Sequence, residues 1–176
     1  MKKKLHTVLI IVLNAVIVVI MVILLKDNIG VSKGKIEPDA RKFHNIPIEW
    51  NVSQSTTDTM SAMIFYPDDF SDYCYSIYVK HSAMPLGYSF RTGGSISEIE
   101  NGICEFNIEG YNETIYLSLN KSSATKMLID DGDTVESIEI CKSEPFVHII
   151  PSNAGNVSFI DDNSNEINVT HRDVQN

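Results

Sequence analysis

The feature that most constrains the fold is a series of short segments in which apolar and polar residues alternate. They recur about every 8–12 residues and are separated by Gly, Pro, Asn and Asp, which is typical of β-sandwiches and barrels. After residue 45, no stretch keeps a helical period over about 11 residues. The sequence therefore predicts an all-β fold, an antiparallel β-sandwich in which each sheet buries one face. The clearest segments are residues 46–52, 73–80, 103–110, 113–120 and 137–141.

The chain has one long apolar segment, Leu5–Leu25, in which only His6, Thr7 and Asn14 are polar. As a helix that rises about 1.5 Å per residue, it would cross the roughly 30 Å hydrocarbon core of a bilayer. A cleaved signal peptide usually has a shorter apolar region, of about 7–15 residues. The segment predicts an uncleaved membrane anchor. A signal peptide cut near Ser32 and a buried soluble helix are the alternatives.

The flanking charges predict how the chain is oriented. Lys2, Lys3 and Lys4 favour a cytoplasmic N-terminus, and a long domain after the anchor is translocated largely regardless of its own charges. We therefore expect a single-pass protein of the cell membrane with its C-terminal domain outside the cytoplasm. The predicted organisation is a basic cytoplasmic tail (1–4), a transmembrane anchor (5–25), a linker or stalk (26–45) with a short helical turn at 38–42, an extracytoplasmic β-sandwich (46–170) and a C-terminal tail (171–176).

The part of the chain after the anchor is strongly acidic. Residues 27–176 contain ten basic and 23 acidic side chains, a formal charge of −13. A surface of this kind repels nucleic acid and anionic lipid head groups. We therefore expect neither nucleic acid nor an anionic membrane surface as a partner of this domain.

An acidic segment, Asp130-Asp131-Gly132-Asp133, separates two strand-like runs. Asp and Gly tolerate the backbone angles of tight turns, so the segment predicts first of all a hairpin turn. Carboxylates are also the ligands that calcium prefers, so Asp130, Asp131 and Asp133 are candidate metal ligands. No other cofactor is expected.

The three cysteines are Cys74, Cys104 and Cys141, and no two of them form a C-x-x-C pair. A structural zinc site or thioredoxin-like motif is therefore not expected. Cys104 falls on an apolar strand face, where a buried thiol is ordinary. Cys74 and Cys141 fall on polar faces and would form a disulfide outside the cytoplasm if their strands are neighbours. Three free or buried thiols are nevertheless the expected state, and the disulfide is the alternative.

Aromatic residues on polar strand faces suggest a ligand site. Sugars stack their C–H faces on aromatic rings, and Tyr78 and Tyr116 lie among polar neighbours in their segments. Arg91, in a loop-like stretch with two glycines, would add a fork of hydrogen-bond donors. These three residues are the predicted ligand contacts. The alternative for the tyrosines is aromatic pairing between strands, which sheets use routinely.

The sequence contains neither a G-x-S-x-G nor an H-E-x-x-H motif, so no catalytic residues are predicted. His148 shares a strand face with Phe146 and Ile150, which indicates a half-buried histidine. A non-enzymatic protein is therefore expected.

The segment Ile115–Ile140 resembles part of the jelly-roll domains that are appended to bacterial envelope glycosyltransferases and polysaccharide proteins. The similarity lies in the turn after Leu128-Ile129-Asp130 and in the following Ile138-Glu139-Ile140 strand. The arginine and proline of that family's turn are missing here. The resemblance implies a jelly-roll sandwich associated with envelope glycans, and it brings no catalytic residues.

The sequence thus predicts a membrane-anchored binding module for an envelope glycan or a partner protein. One alternative is an accessory subunit that docks onto a larger membrane enzyme or transporter. Another is a hydrolase that uses clustered carboxylates.

Overall fold

The computed structural model describes residues 11–20, 30–80 and 87–175. Of the predicted anchor, residues 5–10 and 21–25 lie outside the described residues, whereas residues 11–20 are helical and exposed. In the described part of the chain, no helix is both long enough and apolar enough to cross a membrane.

The described residues after Gly30 form two helices and eleven strands. A 3-10 turn, Lys33–Lys35, leads into helix α1, Ile36–His44, and a short helix α2 spans Ser97–Asn101. The strands are β1 Asn51–Thr56, β2 Met60–Tyr66, β3 Cys74–Lys80, β4 Tyr88–Gly94, β5 Ile103–Ile108, β6 Glu113–Ser118, β7 Lys126–Asp130, β8 Val135–Glu139, β9 Phe146–Pro151, β10 Asn156–Ile160 and β11 Val169–Val174.

The strands form three sheets. The first has the order β1-β2-β3-β4, the second β11-β5-β6-β9 and the third β10-β7-β8. All neighbours are antiparallel except β11, which runs parallel to β5. The predicted mostly antiparallel β-rich fold is confirmed. The first sheet is a simple meander of consecutive strands, however, whereas a jelly roll alternates its strands between two sheets through Greek keys.

The core consists of three apolar clusters that separate four layers. The first lies between the first and second sheets and includes Ile64, Ile77 and Phe106. The second lies between the second and third sheets and includes Met127 and Phe159. A third cluster fills the space between α1 and the outer face of the first sheet. The first and second sheets are therefore covered on both faces, which a simple two-layer sandwich would not be.

Helix α1 belongs to the folded domain and is not part of a linker. Ile36 and Ala40, four residues apart, are fully buried against the first sheet. Before the helix, Val31 exchanges two backbone hydrogen bonds of 2.8 Å with Tyr88 at the start of β4. The predicted linker 26–45 is therefore wrong from about residue 30 onward. The sequence indicated only a short helical turn at residues 38–42, because nine helical residues are too few to display a sustained period.

Two further boundaries differ from the prediction. Residues 46–50 form a turn instead of the first part of a strand, and the Ile48 side chain is 84% exposed. Asn45 adopts a left-handed conformation that ends α1, and Pro47 has no N–H to give to a sheet. At the other end, the predicted tail 171–176 supplies most of strand β11.

Candidate functional site

The two tyrosines predicted to contact a ligand are buried. Tyr78 is only 1% exposed, lies beneath α1 and donates a hydrogen bond of 2.8 Å to Asp39 Oδ2. Tyr116 is 4% exposed and packs against Phe159 between the second and third sheets. Burial raises the pKa of both hydroxyls above the ordinary tyrosine value. The prediction is wrong for both residues, because the faces that looked polar in sequence are covered by another layer.

Arg91, the third predicted contact, lies on the edge strand β4 and is half-buried. Its Nη2 donates a hydrogen bond to the carbonyl oxygen of Gln175, next to the end of β11. Its Nε is buried and has no hydrogen-bond partner among the described residues. Arg91 thus joins the first sheet to the segment that follows β11 of the second sheet.

Beside this contact, a recess of about 570 Å³ opens at the ends of β5 and β11. The β5–β6 turn forms one wall, and it is closed by a hydrogen bond from Tyr111 N to the Ile108 carbonyl oxygen (3.1 Å). The turn is tied to β11 by a hydrogen bond from Glu109 N to Val174 O (3.1 Å). The recess is lined by Asn107, Ile108, Glu109, Gly110, Tyr111, Asp173, Val174 and Gln175.

The recess combines one aromatic ring with amide and carboxylate side chains. Tyr111 is half-buried, and its hydroxyl donates to the carbonyl oxygen of Lys80 at 3.1 Å. Burial raises the pKa of Tyr111, and the nearby positive charge of Arg91 lowers it in part. Two side-chain hydrogen bonds of 3.0 Å hold Asn107 in place. Its Nδ2 donates to Glu105 Oε1, and its Oδ1 accepts from the hydroxyl of Thr114. The exposed carboxylate of Asp173 completes a set of groups that can bind hydroxyls.

A second cleft, of about 490 Å³, lies between α2 and β11. Its polar lining includes Asn101, Ser122, Asn168 and Thr170, and the described lining residues contain no aromatic ring. An ion pair between Glu98 and Arg172 joins α2 to β11 beside it. This cleft offers hydrogen bonds but no stacking surface, so the recess at Tyr111 is the stronger candidate site.

The acidic segment between β7 and β8 forms a turn that uses its own carboxylates. Asp131 Oδ1 accepts hydrogen bonds from the backbone N–H of Asp133 (2.9 Å) and Thr134 (2.7 Å), and Asp130 Oδ1 accepts one from Gly132 N (2.9 Å). These backbone donors lower the pKa of Asp131. Within the described residues, no group of three or more His, Cys, Asp or Glu side chains is arranged to hold a metal ion. The structure gives these carboxylates a role in the turn, and calcium binding remains a prediction.

All three cysteines are free thiols in the structure. Cys74 belongs to β3 of the first sheet, whereas Cys141 follows β8 of the third sheet. The second sheet separates these two layers, so the alternative, a disulfide between Cys74 and Cys141, does not form. Burial raises the pKa of Cys74 to about 11 and that of Cys104 to about 12. Both thiols are therefore protonated and poorly nucleophilic near neutral pH.

The sequence prediction missed Tyr111 and Asp173. Tyr111 lies in the turn segment Glu109-Gly110-Tyr111-Asn112, where an aromatic residue has no strand face to occupy, and this was an available signal. Asp173 was assigned to a tail. Its proximity to Tyr111 depends on the parallel pairing of β11 with β5, which no local pattern indicates.

Comparison with known proteins gives no match: no protein-family model matches the chain, and no curated protein or solved structure is significantly similar to it.

Proposed function

We propose that this protein is a membrane-anchored, non-enzymatic binding module whose β-sandwich binds an envelope glycan outside the cytoplasm. The observation that carries the proposal is the recess at the ends of β5 and β11. Its lining brings together Tyr111, which is half-buried against the first core cluster, and Asn107, Asp173 and Gln175. Arg91 lies at its edge through the hydrogen bond to the Gln175 carbonyl.

This combination of groups suits a sugar. An aromatic ring stacks on the apolar C–H face of a pyranose, while amides and carboxylates hydrogen-bond its hydroxyls. The volume of about 570 Å³ falls within the range of about 300–1,000 Å³ that is typical of small-molecule sites. The resemblance of residues 115–140 to domains of envelope glycan proteins favours the same ligand class.

The proposed location rests on the N-terminal segment. Residues 11–20 are helical with exposed side chains, and all of them except Asn14 are apolar. A helix that is apolar on every side needs an apolar environment. The lysines at positions 2–4 favour a cytoplasmic N-terminus, which puts the β-sandwich outside.

The test is a glycan array followed by calorimetric titration of the full-length chain in detergent, with and without calcium. Tyr111→Ala and Asp173→Asn should each weaken sugar binding at least about tenfold, which is roughly the loss of 1.4 kcal/mol. Tyr66→Ala is the matched control, because Tyr66 is also half-buried but stacks on Phe70 outside the recess. Binding that survives both recess substitutions would reject this site.

The same samples test the hydrolase alternative. Glu109 and Asp173 bring two carboxylates to the recess. A hydrolase would release shorter sugars from a bound oligosaccharide, and the release would stop in Asp173→Asn. Unchanged oligosaccharide after prolonged incubation is the result expected for a binding module.

The second candidate function is an accessory subunit of a larger membrane protein. It is favoured by β8, which among the described strands pairs with β7 alone and therefore forms an edge, and which exposes 61% of Val135. An open edge strand can accept a strand from a partner. A stoichiometric membrane partner that co-purifies in mild detergent, and that is lost in Val135→Pro, would favour this function over glycan binding.

A further inference from the structure

The surface at the C-terminal end of α1 is apolar although it faces solvent. Phe43 is 60% exposed, and Ile48 in the following turn is 84% exposed. The Phe43 ring packs on Phe90 of β4 with 4.5 Å between ring centroids. Phe90 in turn contacts the buried ring of Tyr78, so this surface is continuous with the third core cluster. Phe43, Ile48 and Phe90 are called the α1 patch below.

The charges around the α1 patch differ from those of the rest of the domain. Four of the ten basic residues in 27–176 lie within residues 33–42. Lys35, in the 3-10 turn that leads into α1, and Lys42, on α1 itself, are both exposed. Both acidic residues on α1 already have partners. Glu37 forms an ion pair with Arg41, and Asp39 accepts a hydrogen bond from the hydroxyl of Tyr78.

The exposed side of α1 is therefore positive, with Glu49 as the nearby acidic residue of the turn. This local surface contrasts with the net charge of −13 on residues 27–176.

The short connection to the anchor keeps the α1 patch close to the bilayer. The folded domain begins at Gly30 and Val31, where Val31 pairs with Tyr88. A side chain on Gly30 would come within 2.6 Å of the backbone of Gly87, so the chain is held tightly at this point. Only four residues separate Leu25 from Gly30, and the five Cα–Cα steps between these two residues extend at most about 18 Å. Phe90 lies two residues beyond Tyr88 on β4, so the patch is near the attachment point.

We propose that the α1 patch rests on the surface of the bilayer that holds the chain's own anchor. Phe43 and Ile48 enter the interface between head groups and acyl chains, and Lys35 and Lys42 face anionic phosphates. Apolar side chains flanked by lysines are typical of helices that lie in a membrane interface. The inference rests on the membrane anchorage in the proposed function. It also restricts the expected repulsion of anionic lipid to the other surfaces of the domain.

The chain contains its own reporter for this contact. Trp50 is the only tryptophan, is half-buried and lies two residues after Ile48. The experiment places the full-length chain in vesicles of phosphatidylcholine and phosphatidylglycerol whose acyl chains carry bromine, which quenches nearby tryptophan. A patch seated about 5–10 Å into the interface should lower Trp50 fluorescence roughly twofold relative to unbrominated vesicles.

Two double variants test the two parts of the surface. Phe43→Asp with Ile48→Asp should abolish most of the quenching. Lys35→Glu with Lys42→Glu, at exposed positions that leave the apolar contacts intact, should reduce it in vesicles that contain phosphatidylglycerol. Val135→Asp is the matched control, because Val135 is an exposed apolar residue in the third sheet, the layer farthest from α1. It should leave the quenching unchanged.

Flotation of the same vesicles separates the two hypotheses. A chain that floats with the vesicles while Trp50 stays unquenched would overturn the docking of the patch and leave the anchor in place. Equal quenching in the wild type and both double variants would overturn it too. A chain that fails to float would instead contradict the membrane anchorage itself.

Discussion

Arg41 is the residue whose replacement should most clearly test the packing of α1. Its guanidinium is buried, with only 9% of the residue exposed. Its three nitrogens donate to Glu37 Oε1 (2.8 Å), Pro47 O (2.8 Å) and Trp50 O (2.9 Å). It also lies 4.8 Å from the centre of the Phe65 ring. One side chain thus ties the helix to the following turn and to the first sheet.

The expected loss follows from these contacts. Each charge-assisted bond to a backbone carbonyl, both of them partly buried, contributes about 1.5 kcal/mol, which gives about 3 kcal/mol for the two. The cation–π contact adds about 1 kcal/mol. The pair with the partly exposed Glu37 adds only about 0.5 kcal/mol. Arg41→Ala should therefore lower the free energy of unfolding by about 4.5 kcal/mol. Arg41→Lys should lose about half of that, since an ammonium group cannot reproduce the planar fork.

The assay is urea unfolding of residues 30–176 followed by Trp50 fluorescence. With a denaturant slope of about 2 kcal/mol per molar urea, the midpoint of Arg41→Ala should fall by about 2 M. Glu37→Gln is the control, because it removes only the exposed partner and should move the midpoint by a few tenths molar at most. If Arg41→Ala behaves like Glu37→Gln, α1 does not contribute to the stability of the domain.

Three further predictions concern other parts of the chain. The fragment 46–176, which lacks α1, should bind a dye for exposed apolar surface and unfold at lower urea than 30–176, because the outer face of the first sheet is uncovered. Burial lowers the pKa of His148, so the unfolded chain takes up its proton at higher pH than the folded chain. The contribution of the neutral histidine to stability is complete above about pH 6.5 and is lost as pH falls below that value. The melting temperature of His148→Gln should therefore drop less between neutral and mildly acidic pH than that of the wild type. Mass spectrometry after brief alkylation should find Cys141 modified much faster than Cys74, whose pKa burial raises to about 11; equal rates would contradict the positions of these thiols.

The alternating pattern predicted strands well but their environment only in part. In β5, the apolar residues Cys104, Phe106 and Ile108 are buried while Glu105 and Asn107 are less so, as expected. In β3, every residue from Tyr75 to Val79 is buried, including Ser76. An alternating pattern indicates a sheet with one solvent-exposed face. It mispredicts burial where α1 or the third sheet covers that face.

The candidate site was beyond sequence patterns for a different reason. Tyr111 and Asp173 are brought together by β11, which pairs with β5 from more than 60 positions away in the chain. A parallel pairing of this kind leaves no signature in spacing or composition. Arg91 was identified from its chemistry, but its position beside Gln175 depends on the same long-range arrangement.

The pairing of Val31 with Tyr88 also determines how the domain responds to a pulling force. In a chain held at the membrane, tension from the anchor enters the domain at Gly30. It acts first on the two backbone hydrogen bonds between Val31 and Tyr88 and then on the nine residues of α1. The contacts of the Val31 segment and of α1 can break one after another, while the three sheets stay intact. We expect a first, low-force step in which α1 detaches and uncovers Phe65 and Met63, well before the β-sandwich itself gives way.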